Sequence, residues 1–240
     1  MSLRNGSRRL SLTQCEARAN AIAHVGLRLR RALIHLLRSA AVLSAFAWGA
    51  PASAHELPQV SATGLAGILA PPLLTPYVGN SQGDVTVIEY FDYNCPVCKR
   101  TDVELQKLAA SDSNVRLVYK DWPIFGAVSV YAAYCSFAAA ELGQYPLAHR
   151  ALINSKRKLD SNEVVDAVLR DAGIDLPKIK SLIAAHGKQF SAALTRNLGE
   201  ANALRLRGTP GLIVGDILIA GGLDYAQLRR LVSESRNPAR

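Results

Sequence analysis

The sequence lacks a second Cys-x-x-Cys pair, and its five histidines lie far from the one it has. A structural zinc site needs four ligands, so no metal is expected, and half of a zinc site or a static disulfide are the bland alternatives for that pair. Internal repeats and low-complexity tracts are also absent, which excludes a repeat array. No apolar run reaches the ~20 residues that a comfortable membrane span requires. Basic excess is missing from most of the chain. Of 28 Lys and Arg and 19 Asp and Glu, residues 1–54 hold eight Arg and one Glu, leaving the rest nearly balanced at +2. The formal net charge of +9 therefore gives no support for a nucleic-acid partner, and none is expected.

What remains is an ordinary globular composition, 49% apolar and 20% charged over 240 residues, enough for one sizeable domain or two small ones. Residues 1–54 read as a signal peptide. Arg28, Arg30, Arg31 and Arg38 end a positive segment, and Ala40 to Ala50 is apolar. Ala52-Ser53-Ala54 has the small-x-small form of a cleavage site, which puts the mature start at His55. An uncleaved anchor is the alternative. Export leads to an oxidising compartment, where disulfides persist. Cys15 would leave with the signal, so the mature chain keeps Cys95, Cys98 and Cys135. Cys135 lies in an apolar helical pattern and reads as a buried inert thiol, with a leftover reactive cysteine as the weaker reading.

The chain is organised around Glu89-Tyr90-Phe91-Asp92-Tyr93-Asn94-Cys95-Pro96-Val97-Cys98. The β-branched run that precedes it predicts a buried strand over Val85 to Phe91. The spacing of Val103, Leu105 and Leu108 among charges predicts a helix from Pro96 to Ala110. Pro96 suits a first helical turn, where its missing N–H costs nothing. Cys95 is thus placed at a helix N-terminus, whose free N–H groups and partial positive charge favour thiolate over thiol. Its pKa is expected in the range of about 3.5–7.5. Cys98, one turn in, is placed to resolve a mixed disulfide formed at Cys95.

Elsewhere, 55–76 reads as a linker or N-terminal arm with a short helix near Ser61 to Leu69. A second strand over Asn114 to Lys120 runs parallel to the first, because a helix joins them. Helices follow over Ala127 to Leu142 and Pro146 to Asn154, then one opened by Asp160-Ser161-Asn162-Glu163 and one capped by Asp175. The latter is expected to end at Gly187, after His186, and a separate long helix to run from Gln189 to Leu206. After Gly208-Thr209-Pro210-Gly211 come two short strands joined at Gly215-Asp216, a hairpin signal. A helix over Tyr225 to Val232 closes the chain.

This order is similar to an α/β class, the thioredoxin fold with an inserted helical domain, and the chain resembles the DsbA family of thiol:disulfide oxidoreductases. Two motifs carry the resemblance: Phe91-Asp92-Tyr93-Asn94-Cys95-Pro96-Val97-Cys98-Lys99, and Gly208-Thr209-Pro210. It implies a discontinuous thioredoxin-fold domain over 77–125 and 188–240, with 126–187 as the helical insertion. Cys95 would be the nucleophile and Cys98 the resolving cysteine. Pro210 would be cis against the pair, with the Thr209 backbone taking the substrate chain alongside Pro96 and Val97. Glu89 matches the family's buried acid beneath the pair, a proton acceptor for Cys98, although a solvent-facing Glu89 is the alternative. Lys120 is the candidate partner for Glu89.

The resemblance further implies a periplasmic protein with no cofactor, acting on unfolded or reduced exported proteins with a membrane redox partner. Val97 departs from the histidine of the best-known members. It cannot donate a hydrogen bond or charge to the Cys95 thiolate, so a weaker oxidant is expected. Thr209 is shared with the isomerases DsbC and DsbG. Isomerase or reductase activity of the DsbC, DsbG or ScsC kind is therefore the alternative, as is a non-catalytic metal-binding or interaction module. The sequence leaves the oligomeric state open.

Overall fold

The computed structural model describes residues 57–69 and 76–237, all within the unit Leu57–Arg240. The expected signal, its cleavage site and Cys15 lie outside the described residues. Among these residues helix α1 (Ala62–Leu69) is followed by strands β1 (Tyr77–Gly79) and β2 (Val85–Phe91). Helix α2 (Pro96–Ser111) and strand β3 (Val115–Asp121) come next. Four helices follow: α3 (Ala127–Glu141), α4 (Tyr145–Ile153), α5 (Asn162–Asp171) and α6 (Leu176–Ala203). The chain closes with β4 (Gly211–Val214), β5 (Ile217–Ala220) and α7 (Tyr225–Arg236).

The five strands form one sheet in the order β1-β3-β2-β4-β5, parallel only between β2 and β3. β2 is its central strand, and side chains alternate between its faces. Val85, Val87 and Phe91 belong to the larger core with Leu105 and Leu108 of α2 and Leu228, Leu231 and Val232 of α7. Ile88 and Tyr90 belong to a second core, closed by Val60, Ile68 of α1, Ala201 of α6 and Leu206. By the same alternation Glu89 faces α2.

Three features differ from the sequence reading. β1 is a three-residue edge strand paired antiparallel to β3 through backbone bonds, and its short sequence carries no strand pattern. The break expected at Gly187 does not occur. A glycine inside a helix costs about 1 kcal/mol, and here tertiary packing outweighs it. Leu176, Ile179, Phe190, Ala193, Asn197 and Ala201 form one buried stripe along a 28-residue helix. Phe190 meets the rings of Tyr134 and Phe137 at 5.9 and 5.8 Å. His186 is mid-helix and pairs with Glu141 at 2.7 Å. The expected boundary at 187/188 therefore lies within α6. Third, residues of the 55–76 stretch pack on the sheet: Gln59 bridges to Ile217, and the Lys120 ammonium donates to the Ile68 carbonyl at 2.7 Å.

Candidate active site

Cys95 is the N-cap of α2 and Pro96 its first residue, the local result of an extended strand meeting a proline that starts a helix. The turn into it is fixed by Asp92. Its backbone carbonyl accepts from Cys95 N at 3.0 Å. Its buried carboxylate accepts from Asn94 N at 2.7 Å, Phe125 N at 2.9 Å and the Ser129 hydroxyl at 2.8 Å. The Asn94 amide in turn reaches the Leu159 carbonyl at 2.9 Å. Lys99, one residue past Cys98, donates to the carbonyls at and just past the end of α4, at Leu152, Ile153 and Ser155. So α3, α4 and the segment before α5 grip the start of α2.

Cys95 Sγ accepts from Cys98 N at 3.4 Å, and its thiol donates to the Thr209 carbonyl at 3.3 Å. The Thr209–Pro210 peptide is cis. The structure thus brings Cys95, Cys98, Thr209 and Pro210 together from residues over a hundred positions apart, with Val97 beside them. Gly222 marks how closely they pack: a Cβ there would sit 3.0 Å from Val97 Cγ1, 3.8 Å from Pro210 Cγ and against the Thr101 hydroxyl. The surroundings of Cys95 pull its thiol down to about 5 from the ordinary 9.0. The hydrogen bond from the Cys98 thiol is the main cause, working against burial, with the Thr209 side chain and the Cys98 and Val97 N–H groups adding to it. Cys98 is driven strongly upward, first by burial, then by its bond to Cys95 and by the charge of Glu89. One thiol of the pair is a ready acid and the other a reluctant one.

Glu89 is 1% exposed, and neither carboxylate oxygen has a hydrogen-bond partner. Burial, then the charges of Asp102 and Cys95, raise its carboxyl well above the usual range. The pairing with Lys120 does not form. Lys120 opposes Tyr90, not Glu89, in the β2–β3 register, so it points to the other face of the sheet. There it meets Glu200 of α6 at 3.0 Å. Cys135 is fully buried and pushed up to about 12 by burial, the state of an inert thiol.

Sequence reading missed a buried polar cluster behind the pair. Asp102 follows Cys98 by one turn of α2 and is fully buried. Its Oδ1 lies 3.2 Å from His149 Nε2 and accepts from the Tyr119 hydroxyl at 3.0 Å. Gln106 donates to the Tyr119 hydroxyl at 2.9 Å. His149 Nδ1 faces the hydroxyls of Tyr93 at 3.1 Å and Tyr145 at 3.3 Å. An acid between Cys98 and Leu105 on the apolar stripe of α2 was the available signal. Its partner, 47 residues further on, left no local mark.

A family model described as a DSBA-like thioredoxin domain matches residues 86–233. Among solved structures, the chain is similar to a thioredoxin-like oxidoreductase from Silicibacter pomeroyi DSS-3. The two are 35% identical with a TM-score of 0.67, over 74% of this chain and 98% of that one. It is also similar to the thiol-disulfide exchange protein alpha-DsbA2 from Wolbachia pipientis, at 28% identity and a TM-score of 0.63, over 68% of this chain and 87% of that one. Among curated proteins, Na(+)/H(+) antiporter NhaA 1 of Mycolicibacterium vanbaalenii is 26% identical over 162 residues. That match takes in 66% of this chain but about a quarter (26%) of the relative's length.

Proposed function

The chain belongs to the DSBA-like thioredoxin domain family, and we propose that it acts there as an exported thiol:disulfide oxidoreductase. It would form or exchange disulfide bonds in periplasmic proteins through Cys95 and Cys98. The observation that carries this reading is the Cys95 sulfur at the N-terminus of α2, 3.3 Å from the carbonyl of the Thr209–Pro210 loop. An extended substrate chain pairing with that loop would bring its own sulfur in line with Cys95.

In the oxidising direction, a substrate thiolate attacks Cys95 of the disulfide, and the Cys95–Cys98 bond breaks with the electron pair on Cys98. A second substrate thiolate then attacks the substrate sulfur and releases Cys95 as thiolate. A thiolate stabilised in the reduced protein makes the disulfide a better oxidant. At about 5, Cys95 lies between thioredoxin, at about 7, and DsbA, at about 3.5. Val97, which has neither charge nor donor, supports that intermediate position. Export rests on residues 1–54 and their cleavage pattern, and a membrane partner would return the pair to its disulfide form.

The test is transfer from the oxidised full chain to a reduced, denatured protein, read by trapping free thiols. The expected result is stoichiometric loss of substrate thiols, abolished in Cys95→Ala. Equal loss with Cys95→Ala would overturn the reading in favour of a non-catalytic role.

A further inference from the structure

Glu89 on β2, Tyr119 on β3, Asp102 on α2 and His149 on α4 form one buried contact chain. Glu89 and Tyr119 are register partners on adjacent strands. The Tyr119 hydroxyl donates to Asp102 at 3.0 Å, and its ring lies 4.1 Å from the His149 imidazole. His149 Nε2 closes the chain on Asp102. All four side chains are at most 1% exposed, so water screens none of these interactions.

We propose that His149 is a positioning residue for disulfide exchange: it fixes Asp102 behind the redox pair, and Asp102 acts through Tyr119 on Glu89, the base for the Cys98 proton. The inference rests on the disulfide-exchange reading above. Burial is the largest influence on Asp102 and pushes it up, but the hydrogen bond and charge of His149, with Gln106 and Tyr119, outweigh it and keep the carboxyl below its usual value. Without His149, Gln106 and Tyr119 alone oppose burial and the Asp102 carboxyl rises. The like charge that ranks next to burial in raising Glu89 is then weakened.

The consequence falls on the resolving step. With glutathione joined to Cys95, the Cys98 sulfur attacks Cys95. The Cys95–Cys98 bond forms, the Cys95–glutathione bond breaks, and the electron pair leaves on the glutathione sulfur. The Cys98 proton passes to the Glu89 carboxylate. A carboxylate of ordinary basicity is poorly matched to a thiol as reluctant as Cys98, and one raised in basicity is better matched.

The other ionisable groups facing the cluster are Tyr93 before α2, Tyr145 on α4, Asp121 on β3 and Cys95 on α2. The three buried tyrosines are held neutral by burial. Asp121 is raised by burial and held toward its protonated form. Asp102 is not among the groups that set Cys95, which supplies an internal control.

The experiment is single-turnover release of glutathione from the mixed disulfide at Cys95 of the full chain, followed across pH, in wild type, Glu89→Gln, Asp102→Asn and His149→Gln. Wild type is expected to show a midpoint that Glu89→Gln removes. Asp102→Asn should move that midpoint down by about one pH unit and lower the plateau rate about tenfold. His149→Gln, which keeps an N–H toward Asp102 but not the ring, should move both the same way by less. The Cys95 titration should be unchanged in all three. Unchanged profiles in both cluster variants, a wild-type profile that Glu89→Gln leaves intact, or a Cys95 titration that shifts in step would overturn the inference. Absence of glutathione release from wild type at every pH would instead overturn the exchange reading.

Discussion

Two thiols three residues apart have opposite fates because the first accepts a hydrogen bond from the second at a helix cap and the second is buried. The lowered thiol was legible in the sequence, since a strand, a cysteine and a proline at the first helical position place Cys95 at a cap, but the raised one was not, because its burial depends on packing. Glu89 was half legible: alternation along β2 gives its face, but only the packed α2 gives its burial. Lys120 was assigned to the wrong partner because two residues one register step apart point to opposite faces of a sheet. The state of Glu89 has a measurable cost. Its folded value lies above the ordinary 4.5, so the stabilising contribution is fully present below about pH 4.5 and is lost as pH rises through the folded value. Glu89→Gln removes that loss. In denaturant unfolding, the variant should gain on wild type as pH rises above about 4.5. A difference that stays constant with pH would contradict a buried, raised carboxyl.

Elements were legible where their patterns are local. β2, β3, the β4–β5 hairpin and the helices flanking them follow from β-branched runs, capping residues and a Gly-Asp turn. α6 was not, because the local signal of Gly187 points to a stop and only the stripe packed against α3 overrides it. β1 and the docking of α1 were not legible either, since both depend on partners more than 35 residues away. The α1 contact makes a prediction at this scale. Lys120 is wholly buried, and it satisfies the Ile68 carbonyl and the Glu200 carboxylate together. Lys120→Met leaves the Ile68 carbonyl without its donor and Glu200 with Arg196 as its cation, and the cost should be about 1–3 kcal/mol. Limited proteolysis should cut residues 57–69 faster in the variant, while the Cys95 titration stays where it was. Unchanged cleavage there would show that apolar packing alone holds α1.

At the scale of the whole molecule, separate parts of the chain converge on one sulfur atom. The sheet places it, Asp92 and Lys99 clamp its helix to α3 and α4, and the Thr209–Pro210 loop comes against it from the far end of the sequence. The individual motifs could be read in order along the chain. Their meeting point could not, because it depends on how the sheet, the two helix layers and the loop close on each other. Thiolate absorbance of the reduced full chain, titrated with acid against a Cys95→Ala blank, measures the outcome of that convergence in a single number. A half-point near about 5 is predicted. A half-point near the ordinary 9.0 would contradict it.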